Sequence, residues 1–504
     1  MDLNSPCEQP ETEGAPAIID GLLSATPAEG APVRKASALP RMVRLFNVYY
    51  PKRTLALVAV EAVLIILALL VPLAVEFGSD TPLVLGYEAG FLRIFVAAAI
   101  FMACVYYVDL YSASVLANPR ETRARIFACV GAACIILAAV YAVAPTIRLG
   151  EMVILPGIVL CAMGLFASRA TFYSLSRSSR LAQRAILLGQ GPLMYRLAEE
   201  IPNRPELGIR LDGYIGAPPG DVSLPPGLTY LGDSKAFAEI LRDRPADHVI
   251  VTMSDRRGSL PVQELLRLKT EGVLVEDGAR FYETISGRLP LDVLRAGSML
   301  FSDGFHVSAS GLLKKRLSSL AISTVALVIC SPIMLLVALA IMAESRGGVL
   351  FRQVRVGMGG RTFEILKFRS MRVGAESETG PVWAQENDPR ITRVGRIIRK
   401  LRLDELPQLI NVLRGEMNLV GPRPERPHFV NMLSELIPYY GLRHSVPPGV
   451  SGWAQVSYPY GSTIEESRVK LEYDLFYIKN MSLSLDLLIV FSTLKIVLLG
   501  RGAK

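Results

Sequence analysis

KLRLDELPQLINVLRGEMNLVGPRPER, residues Lys400–Arg426, sets an adjacent carboxylate pair, Asp404–Glu405, among arginines at Arg399, Arg402, Arg414 and Arg423. The pattern LDELPQL predicts a helix start, with Asp404 as N-cap and Pro407 in the first turn, where backbone N–H groups lack intrahelical partners. Leu406, Leu409, Ile410 and Leu413 then share one apolar face, and Gly415 ends the helix. A carboxylate at a helix N-terminus tends to stay ionised. Among arginines that grip phosphate oxygens, it suits a nucleophile that attacks phosphorus. The same stretch fits a capped helix with a solvated salt-bridge cluster at least as well, so the surrounding chain must decide.

At 504 residues there is room for two to four domains. A hydrophobic content of 51% and a mean hydropathy of +0.36 exceed those of an ordinary soluble enzyme and point to membrane segments. The net charge of +8 points to anionic partners. It is concentrated: residues 344–426 hold sixteen Lys and Arg against ten Asp and Glu. Those charges lie beside an apolar run rather than among aromatics, which argues against nucleic acid. The six cysteines form no CxxC pair, and His248, His306, His428 and His444 show no metal spacing. The polar, Pro- and Ala-rich start reads as a disordered tail over residues 1–45, without a signal peptide.

Four apolar runs follow, Leu55–Val75, Leu92–Tyr111, Ile126–Ala144 and Met152–Phe172, each close to the ~20 residues that cross a bilayer. Lys and Arg cluster before the first run, between the second and third, and after the fourth (Arg169, Arg177, Arg180, Arg184), which sets both ends of the bundle in the cytoplasm. Glu61 lies inside the first run, as a functional group or a bundle-facing one. Residues 184–307 alternate buried strands and helices, a Rossmann-like pattern. Its glycine fingerprint is incomplete, with Met194 in place of the third glycine, which favours a structural or regulatory domain over a cofactor site. Next comes an apolar stretch, Leu320–Ala343, with basic residues at both ends and Ser331–Pro332 in its middle. Proline removes a helix hydrogen bond. A kinked helix that enters and leaves on one side is therefore expected, with the Ser331 hydroxyl a candidate partner at the bend. Leu483–Leu499 carries Asp486 and Lys495 and reads as a surface helix.

Beyond the membrane dip, KFRSM (Lys367–Met371), Arg399, Asp404–Glu405, GPRP (Gly421–Pro424) and PGVSGWAQV (Pro448–Val456) follow in order. This set resembles the bacterial sugar transferases, the monotopic polyprenyl-phosphate phosphoglycosyl transferases. The bundle and Rossmann-like segment resemble their long form, and Phe281–Phe305, ending SMLFSDGF, resembles the exopolysaccharide-associated branch. The resemblance implies a mixed α/β membrane protein. It would comprise a four-helix transmembrane bundle (46–175), a Rossmann-like, CoA-binding-like cytoplasmic domain (180–310) and a monotopic catalytic domain (312–504) with a re-entrant helix (318–343). It implies transfer of a sugar-1-phosphate from a UDP-sugar to undecaprenyl phosphate at the bacterial inner membrane, with the catalytic domain cytoplasmic and UMP released. Asp404 would be the nucleophile and the Mg²⁺ contact, assisted by Glu405. Lys367, Arg369, Arg399, Pro422, Arg423 and Pro424 would bind phosphate or nucleotide. A homodimer is expected from the long-form relatives. Ser319 stands where the family usually has an acidic residue that anchors the dip. Two other classes are a non-catalytic scaffold of a polysaccharide assembly and an NAD-dependent sugar-nucleotide dehydratase or epimerase. The latter lacks a Tyr-x-x-x-Lys pair.

Overall fold

Met42–Leu45 (β1) and Val48–Pro51 (β2) pair antiparallel around Phe46–Asn47. Both turn residues have positive φ, 53° and 61°, as in the two-residue hairpin turn whose twist matches that of the strands. The computed structural model describes residues 42–498 apart from 88, 178–181, 221–222, 254–259, 295–298, 300–303, 306–307, 376–387 and 459–462. Residues 42–45, counted with the expected tail, instead form one strand of a hairpin that is held in place. Arg44 and Asn47 bond to Asn480 (3.0 and 2.9 Å), and Val48 is buried among Leu289, Phe429 and Leu475. Residues 1–41 and most of SMLFSDGF lie outside the described residues.

The four apolar runs are helices Lys52–Phe77 (α1), Gly90–Tyr107 (α2), Pro119–Val143 (α3) and Glu151–Arg177 (α4). They pack around Ile65, Leu69, Phe101, Cys129 and Leu165. Val63, Phe95, Ile135 and Val159 stay exposed on their outer faces, as lipid contact requires. Glu61 faces the bundle. Arg169 lies within α4 rather than beyond it, and donates to Glu61 (2.9 Å) and to the Leu110 carbonyl (2.8 Å). Ser168 completes the cluster with a bond to Glu61 of 2.8 Å. A charge pair buried in this way is tolerated because each group finds the other and further hydrogen bonds.

The next layer is a parallel sheet with order β5-β4-β3-β6-β7. Its strands are Gln183–Leu188 (β3), Ile209–Ile215 (β4), Tyr230–Gly232 (β5), His248–Val251 (β6) and Leu274–Asp277 (β7). Helix Pro192–Glu200 (α5) follows β3, and Gly278–Ser286 (α6) follows β7. This is the Rossmann order, with its switch point between β3 and β6. There a Cβ on Gly189 would meet the Met253 side chain at 2.3 Å. The glycine thus makes room for Met253 beside the turn after β3. The sheet domain joins the C-terminal domain through Arg196–Glu472 (2.6 Å), Arg468–Asp292, Lys479–Glu283 (2.7 Å) and a Trp453 N–H bond to the Gly287 carbonyl (2.8 Å).

The C-terminal domain opens with a 36-residue helix, Ala309–Glu344 (α7). An antiparallel pair follows, Leu350–Val356 (β8) and Thr362–Phe368 (β9), then helices Arg393–Lys400 (α8) and Gln408–Arg414 (α9). A short parallel pair, Asn418–Val420 (β10) with Gly449–Ser451 (β11), and helices Ile464–Lys479 (α10) and Leu483–Leu498 (α11) complete it. With α1–α4, α7 makes five helices among the described residues that are long and apolar enough to cross a membrane.

The expected break at Ser331–Pro332 is absent as an interruption: α7 is continuous across it. Pro332 cannot donate to the Val328 carbonyl one turn back, and the Ser331 hydroxyl donates there instead, at 2.8 Å. Both ends of α7 rest on the same domain. Near its start, Lys315 pairs with Asp486 (2.7 Å) and touches the Tyr477 hydroxyl, while Arg316 donates to the Leu413 carbonyl (3.1 Å) at the end of α9. Near its end, Val337 and Ile341 pack on Phe368 and Ile398. Between them Val325, Val328, Ile329 and Ile333 are exposed. Helix α11 buries Leu485 and Ile489 and exposes Leu487, Phe491 and Leu494, so it is amphipathic as expected.

Candidate active site

Asp404 and Glu405 lie in a single 3₁₀ turn, Leu403–Glu405, entered through Arg402 at φ 59°. Asp404 is not the N-cap of α9. That helix begins at Gln408, with Pro407 in the cap position. Leu403 and Leu406 pull the turn into the small core formed by Phe368, Ile398 and the end of α7. The carboxylate pair is thereby fixed against the foot of the apolar helix.

The two carboxylates have different surroundings. Glu405 is surrounded by cations: Arg423 at 2.7 Å, Lys367 at 3.3 Å and Arg402 at 3.7 Å. Burial alone would raise its pKa, but Arg423, Lys367 and Arg402 outweigh burial and hold it well below the usual carboxylate range. Asp404, 9% exposed, makes no ion pair or side-chain hydrogen bond with any described residue. Burial, then the charge of Glu405, push its carboxyl up, against Lys367, Arg399 and Arg402. The expectation that the helix dipole keeps it ionised is thus replaced by a balance set by burial. Burial also lowers the Lys367 ammonium, and the Glu405 charge partly restores it.

The other expected site residues divide by geometry. Arg399 lies in the last turn of α8, and its charge acts on both Asp404 and Asp388. Arg369 is drawn elsewhere. Its fork bonds the Ser345 carbonyl and hydroxyl (3.0 and 2.9 Å) and the Arg346 carbonyl (3.2 Å), capping the end of α7. It therefore holds the membrane helix to β9 rather than joining the cations at Glu405. Pro422 and Pro424 are buried, and their carbonyls accept from the Gly449 N–H (3.0 Å) and Arg355 (3.0 Å). The Arg423 carbonyl accepts from Arg443 at 2.9 Å. Three consecutive carbonyls of GPRP are thus tied down, which fixes the Arg423 side chain over Glu405.

PGVSGWAQV serves the same loop. A Cβ on Gly449 would fall 2.0 Å from the Gly421 nitrogen, and one on Gly421 would fall 2.4 Å from the Pro447 carbonyl. Only glycines let β10 and β11 run this close. Trp453 stacks on Phe476 with ring centroids 6.0 Å apart, in a packing role.

Residues 310–500 match the family described as bacterial sugar transferase, and residues 107–267 match a CoA-binding domain family. An exopolysaccharide production protein of Rhizobium leguminosarum bv. phaseoli is 40% identical over 190 residues, 36% of this chain and 94% of that protein. The chain belongs to the bacterial sugar transferase family. A UDP-N-acetylgalactosamine-undecaprenyl-phosphate N-acetylgalactosaminephosphotransferase of Aeromonas hydrophila is 48% identical over 44% of this chain. An undecaprenyl-phosphate glucose phosphotransferase of Komagataeibacter xylinus is 35% identical over 64% of it. The matches span 52% and 60% of those two relatives.

Lys315–Asp486 anchors α7, while Ser319, where the resemblance led to an acidic residue being expected, accepts from the Leu419 N–H at 3.2 Å. Sequence reasoning missed Arg355, Asn411 and Arg443. Asn411 left a local signal, a polar residue between the apolar Ile410 and Val412 that proves fully buried. The arginines left none. Among the described residues no group of three or more His, Cys, Asp or Glu side chains gathers as a metal cage. Magnesium does not require one, because it commonly takes one or two carboxylates and completes its shell with substrate phosphates and water. The unengaged Asp404 carboxylate fits that role, whereas Glu405 is occupied by its cations.

Proposed function

We propose that this chain is a phosphoglycosyl transferase that moves a sugar-1-phosphate from a UDP-sugar to undecaprenyl phosphate and so starts exopolysaccharide assembly. The observation that carries the reading is the asymmetric pair: Glu405 held by Arg423, Lys367 and Arg402, beside an Asp404 carboxylate with no partner among the described residues. The names of the relatives from Aeromonas and Komagataeibacter, both undecaprenyl-phosphate phosphotransferases, agree with it.

An oxygen of ionised Asp404 attacks the phosphorus that carries the sugar. The bond between that phosphorus and the oxygen bridging to the uridine-side phosphorus breaks, and UMP leaves with that oxygen. An oxygen of undecaprenyl phosphate then attacks the same phosphorus. The aspartyl–phosphorus bond breaks, and a diphosphate-linked sugar forms with the carboxylate restored. Splitting the transfer lets two anionic substrates occupy the site in turn. Arg399 and Arg423 are placed to hold phosphate oxygens. Glu405 keeps Lys367, Arg402 and Arg423 gathered in an otherwise repulsive cluster. A magnesium ion held by Asp404 and the diphosphate would neutralise phosphate charge.

The lipid substrate also sets a requirement on α7. Its two ends contact one domain on either side of an exposed apolar middle, and that domain stands on a single side of any membrane. A re-entrant path satisfies this, and a spanning path does not. The basic loop between α2 and α3 and the residues after α4 support a cytoplasmic catalytic domain at the bacterial inner membrane.

Membranes given a UDP-sugar and undecaprenyl phosphate should release UMP, and Asp404→Asn should abolish release while the protein still inserts. Release of UDP instead, or turnover retained by Asp404→Asn, would overturn the reading. No nucleotide release from any UDP-sugar tried would favour the scaffold alternative.

A further inference from the structure

Strand β9 carries Lys367 and, among the described residues, pairs with β8 along one edge. Its other edge meets α9, and a single side chain does the pairing. The Asn411 carbonyl oxygen accepts from the Leu366 N–H at 2.9 Å, and its amide nitrogen donates to the Glu364 carbonyl at 2.7 Å. These two backbone groups flank Ile365 and point away from β8, as alternation along a strand requires. The carboxamide occupies the place that a peptide unit of a third strand would take. Its second amide hydrogen goes to Glu416, also at 2.7 Å, so every hydrogen-bonding site tested by these contacts is filled within a fully buried residue. Ile365, Val412 and Met417 close the contact with apolar packing.

We propose that Asn411 is a positioning residue for the reaction: it fixes β9 against α9, and so fixes Lys367 relative to Glu405 and Asp404. The proposal rests on the phosphosugar-transfer reading given above. Lys367 is the residue directly after the bonded Leu366, and Glu405 lies two turns before Asn411 in the chain. The Lys367–Glu405 separation is 3.3 Å. A slip of ~1 Å between strand and helix carries the pair past ion-pair distance, and a misplacement of that size costs up to about 100-fold in rate.

The test uses the full-length chain in nanodiscs. Asn411→Ala is expected to lower kcat about 10- to 100-fold, with KM for the UDP-sugar changed less than about threefold. Combined with Lys367→Met, it should cost little beyond Lys367→Met alone, because both act through one ammonium group. Effects that multiply would overturn the proposal, since they assign Asn411 a general stabilising role. Amide hydrogen exchange gives an arm independent of activity. Exchange at Leu366 should accelerate in Asn411→Ala while Ile365 and Lys367, bonded to β8, stay protected. Opening of all three together, or no change at Leu366, would also overturn it. If wild-type protein releases no UMP, the functional reading fails and the exchange arm still decides whether Asn411 holds β9. Should Asn411→Ala fail to fold, Asn411→Leu keeps the buried volume while removing both bonds to β9, and the same cycle and exchange criteria apply to it.

Discussion

Replacing Arg443 with Leu separates stability from catalysis. Arg443 is buried and spends its fork on three partners: the Tyr440 hydroxyl at 2.5 Å, the Arg423 carbonyl at 2.9 Å and Asp474 at 2.9 Å. Asp474 is buried as well, and burial, with Glu425 adding to it, pushes its carboxyl up to about 6 despite Arg443. Removing one member of such a pair typically costs about 3–5 kcal/mol, because the remaining charge is stranded. The loss should sit toward the lower end here, since Asp474 already lies close enough to neutrality to take up a proton. In Arg443→Leu/Asp474→Leu the stranded charge is gone, and the stability loss should shrink to about 1–2 kcal/mol. Activity should not recover, because the Arg423 carbonyl has still lost its donor and the guanidinium over Glu405 is no longer held. A loss of about 10- to 100-fold in UMP release is expected in both variants. Thermal unfolding in detergent at pH 7.5, beside UMP release, measures both quantities. Equal stability of the single and double variants would refute the buried-pair argument, and recovery of activity in the double variant would refute the loop-clamp argument.

Ser331→Ala should destabilise α7 by about 1–2 kcal/mol, because the Val328 carbonyl then loses the hydroxyl that stands in for the missing Pro332 N–H in an apolar setting. Adding Pro332→Ala, which restores the backbone N–H, should recover that loss, and denaturant unfolding in micelles reads both. Glu405→Gln removes a like charge beside Asp404, so the acid limb of the rate profile should move to lower pH even as turnover falls. A shift to higher pH would contradict the assignment. Burial, then Arg443, push His444 down to about 4. Its native pKa therefore lies below the unfolded value near 6.5. The stability it contributes is complete above about 6.5 and is lost as pH falls toward 4, by at most about 3 kcal/mol and less for a partly exposed ring. His444→Gln should flatten that part of the melting-temperature profile, leaving the opposite contribution of Asp474 unchanged in the comparison.

Features carried by adjacent residues were legible in the chain itself. The apolar runs became helices, Ser331 meets the carbonyl that Pro332 leaves open, and Asp404–Glu405 stands among arginines. What needed coordinates depends on contacts across long separations. Lys315 and Asp486 are 171 residues apart, and Arg443 reaches the Arg423 carbonyl from 20 residues away. Arg369 could not be told apart in role from Lys367 in KFRSM until the end of α7 was seen to capture it. The ground on which Asp404 was expected to stay ionised, a place at a helix N-terminus, gave way for a related reason. A helix cap can be read from spacing, but burial is a property of the assembled core, and here burial has the larger effect.

The two footholds of α7 bear on how the protein is made. A nascent chain that has threaded α1 to α4 through the bilayer has no further charged segment to move across it if α7 turns back. Lys315, Arg316, Glu344 and Arg346 all stay on the side where they were synthesised. Insertion of α7 then amounts to pressing an apolar helix into one leaflet, and its depth is set by when Asp486 and the β9 region fold beneath it. On the proposed re-entrant path and phosphosugar transfer, the depth at which the site meets a lipid phosphate would then be fixed late in biosynthesis, by the completion of the C-terminal domain.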